Sequence, residues 1–290
     1  MSLSCFQEKI TVLLSFPRIV ALLTLPILAA CSPKPVVVEP PPVVPGYEAV
    51  EDDGVMIPAV NPKYLPAAYQ RQQVAYNGPE APGTIVVDTY ARRLYLVQAD
   101  GQATRYAIAV GRDGTSFRGN GYIGRKAKWP SWTPTANMIR TQPHLYAQYA
   151  GGLPGGISNP LGSRALYLYR GGRDTMFRIH GTIEPDSIGH ATSAGCIRLF
   201  NQDVMELYER VSPGAKVKVR SMSESLALEG PMMDDAWGRI VPETPENITQ
   251  KELDIQSIAA AEQAETQRLR ACRRQGVSAA DCPVLVVANP

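Results

Sequence analysis

The chain of 290 residues is poor in the groupings that metal and nucleic-acid proteins depend on. It has three histidines and five cysteines, and no C-x-x-C pair or H-E-x-x-H helix motif occurs among them. The spacings that announce a zinc site are therefore missing, and scattered candidates such as His144, His180, His190 and Cys196 do not make one. The formal net charge is +2, and no block of Lys or Arg is long enough to track a phosphate backbone, so no nucleic-acid partner is expected. Internal repeats and heptad arrays are absent. The apolar run from Ile19 to Leu28 has ten residues, too few to span a bilayer as a retained helix. No metal and no cofactor are expected.

What is present begins at the N-terminus. Lys9 and Arg18 precede the apolar run, which ends in Leu28-Ala29-Ala30-Cys31. This arrangement resembles a bacterial lipoprotein signal with its lipobox. Residues 1–30 then read as a leader that carries Cys5 away, and Cys31 becomes the lipidated first residue. An ordinary cleaved signal with a chance cysteine is the alternative. In the Gram-negative sorting that the lipobox implies, Ser32 directs the protein to the outer membrane, so it is expected in the periplasm on a lipid anchor at the inner face of that membrane. Residues 31–77 read as a tether. It opens with the proline-rich PKPVVVEPPPVVPG, which favours polyproline II structure; at about 3.1 Å per residue this opening reaches roughly 40 Å. Tyr64, Leu65, Tyr69 and Tyr76 supply enough aromatic surface for its later part to pack on a domain.

Residues 78–221 read as one domain of sufficient size to bury a core. TIVVDT, RRLYLVQ, RYAIAV, RALYLY and MFRIHGT are short, rich in branched or aromatic residues, and punctuated by glycine or aspartate, which predicts a mainly β fold. One helix is predicted after Asn201 as its cap, with Val204, Leu207, Tyr208 and Val211 at helical spacing and Pro213-Gly214 as its stop. KVKVR alternates as a last strand. Residues 222–290 read as an appendage: a polar stretch, an alanine-rich helix from about Thr249 to Arg274, and two cysteines. In an oxidising compartment Cys272 and Cys282 pair most simply with each other, leaving Cys196 as the free thiol. Free cysteine often packs merely as a small hydrophobe, so the thiol needs its surroundings to acquire meaning.

Those surroundings are RIHGTIEPDSIGHATSAGCIRLFNQDV, in which His180 and Cys196 bound a stretch of 17 residues. The stretch resembles the signature of the L,D-transpeptidase (YkuD-type) catalytic domain, and the similarity extends over Gly83 to Arg220, through GTIVVDTYARRLYLV, KAKWPSWTP and NPLGSRALYL. Several roles follow from the resemblance. The fold would be a β-sandwich with one or two short helices. Cys196 would be the nucleophile, its pKa lowered by an imidazolium at His180, which also serves as base and later as acid. The Gly181 carbonyl would orient His180. The N–H groups of Gly195 and Cys196 would form the oxyanion hole. Ser193, Thr182 and Arg198 would shape the site or hold a substrate carboxylate, with an intramolecular ion pair as the alternative for Arg198. Trp129 and Trp132 would line a groove or lid, or simply pack against the sheet. Two departures from the common family pattern stand out: Ala194 occupies a position where many members have histidine, and Arg198 one where some have asparagine. His190 matches no motif position and is left as a second candidate proton carrier.

The implied chemistry is acyl transfer on peptidoglycan. Cys196 would attack the carbonyl at the L-centre of meso-diaminopimelate in a tetrapeptide stem, release D-alanine and hand the acyl group to an amine. That amine would be a diaminopimelate side chain, giving a 3-3 cross-link, or belong to an outer-membrane protein. Water in its place would make the chain a carboxypeptidase or hydrolase. A non-catalytic wall-binding lipoprotein is the reading from another class.

Overall fold

In the computed structural model, residues 42–112, 117–193 and 195–283 are described. The leader, Cys31 and residues 33–41 of the proline-rich opening of the tether lie outside the described residues. The strands run in chain order as β1 (Val50–Asp52), β2 (Val55–Ile57), β3 (Gln72–Ala75), β4 (Ile85–Asp88), β5 (Arg93–Val97), β6 (Gln102–Ala107), β7 (Val110–Gly111) and β8 (Asn120–Lys128). Helices α1 (Ala136–Thr141) and α2 (Pro143–Tyr146) follow, then β9 (Arg164–Arg170), β10 (Arg173–His180), β11 (Ala191–Ser193), β12 (Ile197–Arg198), α3 (Asn201–Arg210) and β13 (Lys216–Val219). The chain continues through α4 (Met222–Glu229), β14 (Met232–Asp234), β15 (Ile240–Pro242) and α5 (Pro245–Arg274). The fold is mainly β with few helices.

Nine strands form one sheet in the order β12-β10-β9-β8-β13-β4-β5-β6-β3. Neighbours are antiparallel except β10–β12 and β4–β13. Strands far apart in this order share one core: Ile85, Leu94 and Tyr106 from one half cluster with Ile123, Leu166, Leu168, Ile179 and Ile197 from the other. A sheet can bring both halves of one face together only by folding over on itself, which supplies the sandwich layering. The fold is closed by a reciprocal backbone pair at 2.9 Å between Ala109 and Arg198, which ties the edge strand β12 to the chain after β6. Val204 and Leu207 of α3 and the following Val211 cover the open side of this core.

Three expectations change. Asn201 does not cap α3; Phe200 holds that position, and Asn201 is the first helical residue with its amide turned inward. Its Oδ1 accepts from Ser163 N–H at 3.0 Å and its Nδ2 donates to Thr182 O at 2.8 Å, because two buried loop groups without ladder partners take the nearest amide. The tether is shorter than residues 31–77. Tyr47, Val60, Leu65 and Tyr69 are buried against Ala107, Ala109, Ile188 and Phe200, β3 extends the sheet beside β6, and Arg71 and the Tyr47 hydroxyl both bond Asp203. The early part of the tail is integral as well. Ser221 and Glu224 close a capping box on α4, Arg220 pairs with Asp88 and Glu229, and the Ser225 hydroxyl donates to Asp88 at 2.9 Å.

Only α5 remains an appendage. It has no buried residue and begins at Pro245, with Thr244 as its cap, rather than near Thr249. Cys272 in its last turn and Cys282 beyond it form a disulfide with Cα atoms 5.9 Å apart. Among the described residues no helix is long and apolar enough to cross a membrane.

Candidate active site

Strand pairing sets out two transverse rows on one face of the sheet. The first runs Arg125, Tyr167, Arg178 across β8, β9 and β10, and the second Ala127, Ala165, His180, Arg198 across β8, β9, β10 and β12. Paired residues share a face and successive residues alternate. The alternate positions Leu166, Leu168, Ile179 and Ile197 are at most 1% exposed and belong to the core, so both rows face away from it. Extending the parallel β10–β12 pairing by one residue brings Cys196 level with Arg178 and diagonal to His180. The turn into Cys196 uses Gly195 at φ +130°, a conformation that other residues avoid.

Cys196 is the one free cysteine among the described residues and is half-buried. His180 is buried, with Nδ1 2.6 Å from Gly181 O. A carbonyl can only accept, so Nδ1 carries the hydrogen and a neutral ring has its lone pair at Nε2. Gly181 also has a packing reason to lack a side chain, because a Cβ there would lie 2.2 Å from Asn201 Oδ1.

The electrostatics differ from the expected thiolate–imidazolium pair. Burial above all, then the Arg198 guanidinium, pulls His180 down to about 3, while the Gly181 and Leu161 carbonyls pull the other way. Burial pushes the Cys196 thiol up, against the Arg178 backbone N–H and the guanidiniums of Arg178 and Arg198. Desolvation penalises both charged forms, so the resting site holds a neutral thiol and a neutral imidazole. Among the described residues no hydrogen bond joins the two side chains.

The neighbours build the turn more than they line it. Gly195 N–H donates to Ser193 Oγ at 3.1 Å, and the Ser193 hydroxyl donates to Cys196 O at 2.6 Å. Gly195 N–H is therefore occupied rather than free for an oxyanion, and Ser193, 1% exposed, is a brace within the turn. Thr182 is buried, and its hydroxyl oxygen accepts from Glu184 N–H at 2.9 Å. Arg198 takes the ion-pair alternative, bonding the Glu184 carboxylate at 2.6 Å.

Trp129 and Trp132 open the excursion between β8 and β9. Trp129 N–H donates to Ser163 O at 2.9 Å, and Trp132 exchanges backbone bonds with Leu153. The Trp132 ring gathers Tyr146 at 6.2 Å and Tyr149 at 6.1 Å between centroids, so this tryptophan forms the core of the excursion. His190 lies elsewhere, in a cleft with Tyr64, Tyr69, Trp237 and Arg239 that includes neither Cys196 nor His180. His144 is exposed on α2, and among the described residues no group of His, Cys, Asp and Glu is placed to hold a metal.

Two arginines escaped the sequence reading. Arg178 stands two residues before His180 in a strand, and period-two alternation was enough to place it on the same face. Arg92 had no local signal. Its buried guanidinium donates to Gly189 O at 2.8 Å and Gly238 O at 2.9 Å and pairs with Asp234 at 2.6 Å. It fastens the loop between His180 and Cys196 to the β14–β15 hairpin.

Residues 82–219 match the model of the YkuD L,D-transpeptidase catalytic domain. A putative L,D-transpeptidase of Fuscovulum blasticum, from the ATP synthase subunits region, is 36% identical over 138 residues, covering 47% of this chain and 68% of that protein. The probable L,D-transpeptidase ErfK/SrfK of Escherichia coli K12 is 33% identical over 138 residues, 47% of this chain, and the match spans only 43% of its length. A solved Brucella melitensis chain described as a probable carnitine operon oxidoreductase is 48% identical, covering 52% of this chain and 93% of its own, with a TM-score of 0.38, too low to carry an argument.

Proposed function

The chain belongs to the YkuD family of L,D-transpeptidase catalytic domains, and from that premise we propose that it is a peptidoglycan acyltransferase with Cys196 as nucleophile and His180 as base. The observation that most supports this reading is the β10–β12 register, which extended by one residue sets the free thiol diagonal to an imidazole whose Nδ1 is committed to Gly181 O at 2.6 Å. The acyl donor is a tetrapeptide stem. His180 Nε2 takes the thiol proton as sulfur attacks the carbonyl at the L-centre of diaminopimelate. Proton transfer and attack go together, because neither group is charged at rest. The Cys196 backbone N–H is assigned to the developing oxyanion. Collapse breaks the amide bond, the imidazolium returns its proton to the departing D-alanine amine, and a thioester remains.

An incoming amine then attacks the thioester and restores the thiol. This route conserves the energy of the old peptide bond, which matters in a periplasm without ATP. The acceptor is a diaminopimelate side chain or an amine of an outer-membrane protein. Lipidation at Cys31 would hold the enzyme at the inner face of the outer membrane, and the proline-rich segment would carry it toward the wall.

The chain from Ser32 onward, incubated with tetrapeptide muropeptides and followed by mass spectrometry, tests the proposal with Cys196→Ala as control. Dimers lacking one D-alanine, formed by the wild type alone, are the expected result. Tripeptides alone identify water as the acceptor, and neither adduct nor product in either protein leaves a wall-binding module instead.

A further inference from the structure

The first transverse row holds a cationic group that the proposed chemistry does not use. Arg125 and Arg178 come from the strands on either side of Tyr167, and both lie over its ring, with guanidinium carbons 3.5 Å and 4.2 Å from the centroid. Tyr167 is buried at 6% exposure, which gives both guanidiniums a rigid base. Arg178 is neutralised by a forked contact with Asp174, at 2.6 and 2.9 Å. Arg125 is exposed and has no ion pair among the described residues. Two cations over one ring with a single carboxylate leave a positive charge and an unfilled planar fork.

A guanidinium lying over a ring keeps its N–H edge available, and that edge matches a carboxylate in two parallel hydrogen bonds. Strands stand about 4.8 Å apart, so backbone positions in the row lie about 5 Å from Cys196 at Arg178 and about 14 Å at Arg125. The long Arg125 side chain shortens the second distance. Next to it the second row presents Ala127 and Ala165 before His180, low enough for an extended peptide to lie along the sheet. Its carboxylates would meet the row one to two residues from the bond attacked.

We propose that Arg125, stacked on Tyr167 beside Arg178, is a specificity residue that binds a free carboxylate of the acyl-donor peptide, that of the glutamate preceding diaminopimelate. This inference rests on the peptidoglycan reading above. The row then selects donors by charge: a stem with that carboxylate free binds, and one with it amidated loses the fork and keeps only its other contacts. A carboxylate bound here also offsets the positive field that Arg178 and Arg198 impose on His180, easing the appearance of the imidazolium when the thiol gives up its proton.

Calorimetric titration of the chain from Ser32 onward carrying Cys196→Ala reads binding without turnover. The probes are a tetrapeptide stem with free glutamate carboxylate and the same stem with that group amidated. The free acid is expected to bind about tenfold tighter. Adding Arg125→Gln should erase this preference, and Arg125→Lys should restore part of it, since a lysine supplies the charge without the fork. Equal affinity for both stems, or an Arg125→Gln loss of the same size on both, overturns the proposal. Failure of the underlying reading looks different: the wild type forms no acyl adduct at Cys196, whatever preference the titrations show.

Discussion

Because His180 is buried as a neutral ring, acid should destabilise the protein through this one residue by an amount that can be worked out. In the unfolded chain a histidine takes a proton near pH 6.5, whereas in the fold burial holds His180 down to about 3. A depressed histidine binds fewer protons in the native state than in the unfolded one throughout that window. Its contribution is therefore intact above pH 6.5 and lost as pH falls toward 3, at about 1.36 kcal/mol per pH unit once below 6.5. Between pH 7.5 and pH 4.5 the loss is about 2 to 3 kcal/mol.

His180→Asn keeps a donor for Gly181 O and removes the titration. Urea unfolding at several pH values should show the wild type losing this much more stability than the variant on acidification. Asp203, pushed up to about 7 chiefly by burial, acts in the opposite sense, favouring the fold at low pH and losing that contribution as pH rises. It is common to both proteins and cancels in the comparison. Profiles that stay parallel within about 0.5 kcal/mol would refute the argument, since they would mean that the folded imidazole accepts a proton as readily as the unfolded one.

Arg92→Met should cost about 3 kcal/mol, because it strips the Gly238 carbonyl of its donor, leaves the Gly189 carbonyl with the Ile240 N–H alone and breaks the pair with Asp234; hydrogen exchange should speed up at Gly189 and Ile240 first. Asn201→Ala should cost about 2 to 3 kcal/mol by stranding Ser163 N–H and Thr182 O. The latter carbonyl directly follows Gly181, so the acyl-transfer rate should fall more than donor affinity does.

Much of the fold was legible where the signal is local. Strand segments such as TIVVDT and RRLYLV became β4 and β5 because their branched and aromatic residues are buried on both faces, Ile85, Val87, Leu94 and Leu96 in one cluster and Val86, Tyr95 and Val97 in another. The helix after Phe200 formed because Val204 and Leu207 recur on one face. Cys272 and Cys282 are joined in a loop short enough to close within the tail. Asn201 was misread for the opposite reason: its partners, Ser163 and Thr182, are 38 and 19 residues away, and a cap preference carries no information about them. Tyr47 and Arg92 fall in the same class, since each finds its partners on segments remote in sequence.

The stretch from His180 to Cys196 carried the proposed chemistry on its own, as residue types at a spacing that one parallel pair of strands can bring to the same face. Its charge state came from elsewhere. Burial keeps thiol and imidazole neutral, Glu184 takes Arg198, and Tyr167 gathers Arg125 and Arg178 into one cationic group. Each outcome depends on which distant groups exclude water or supply a partner, and desolvation and hydrogen-bond satisfaction arise only when the whole sheet has folded over.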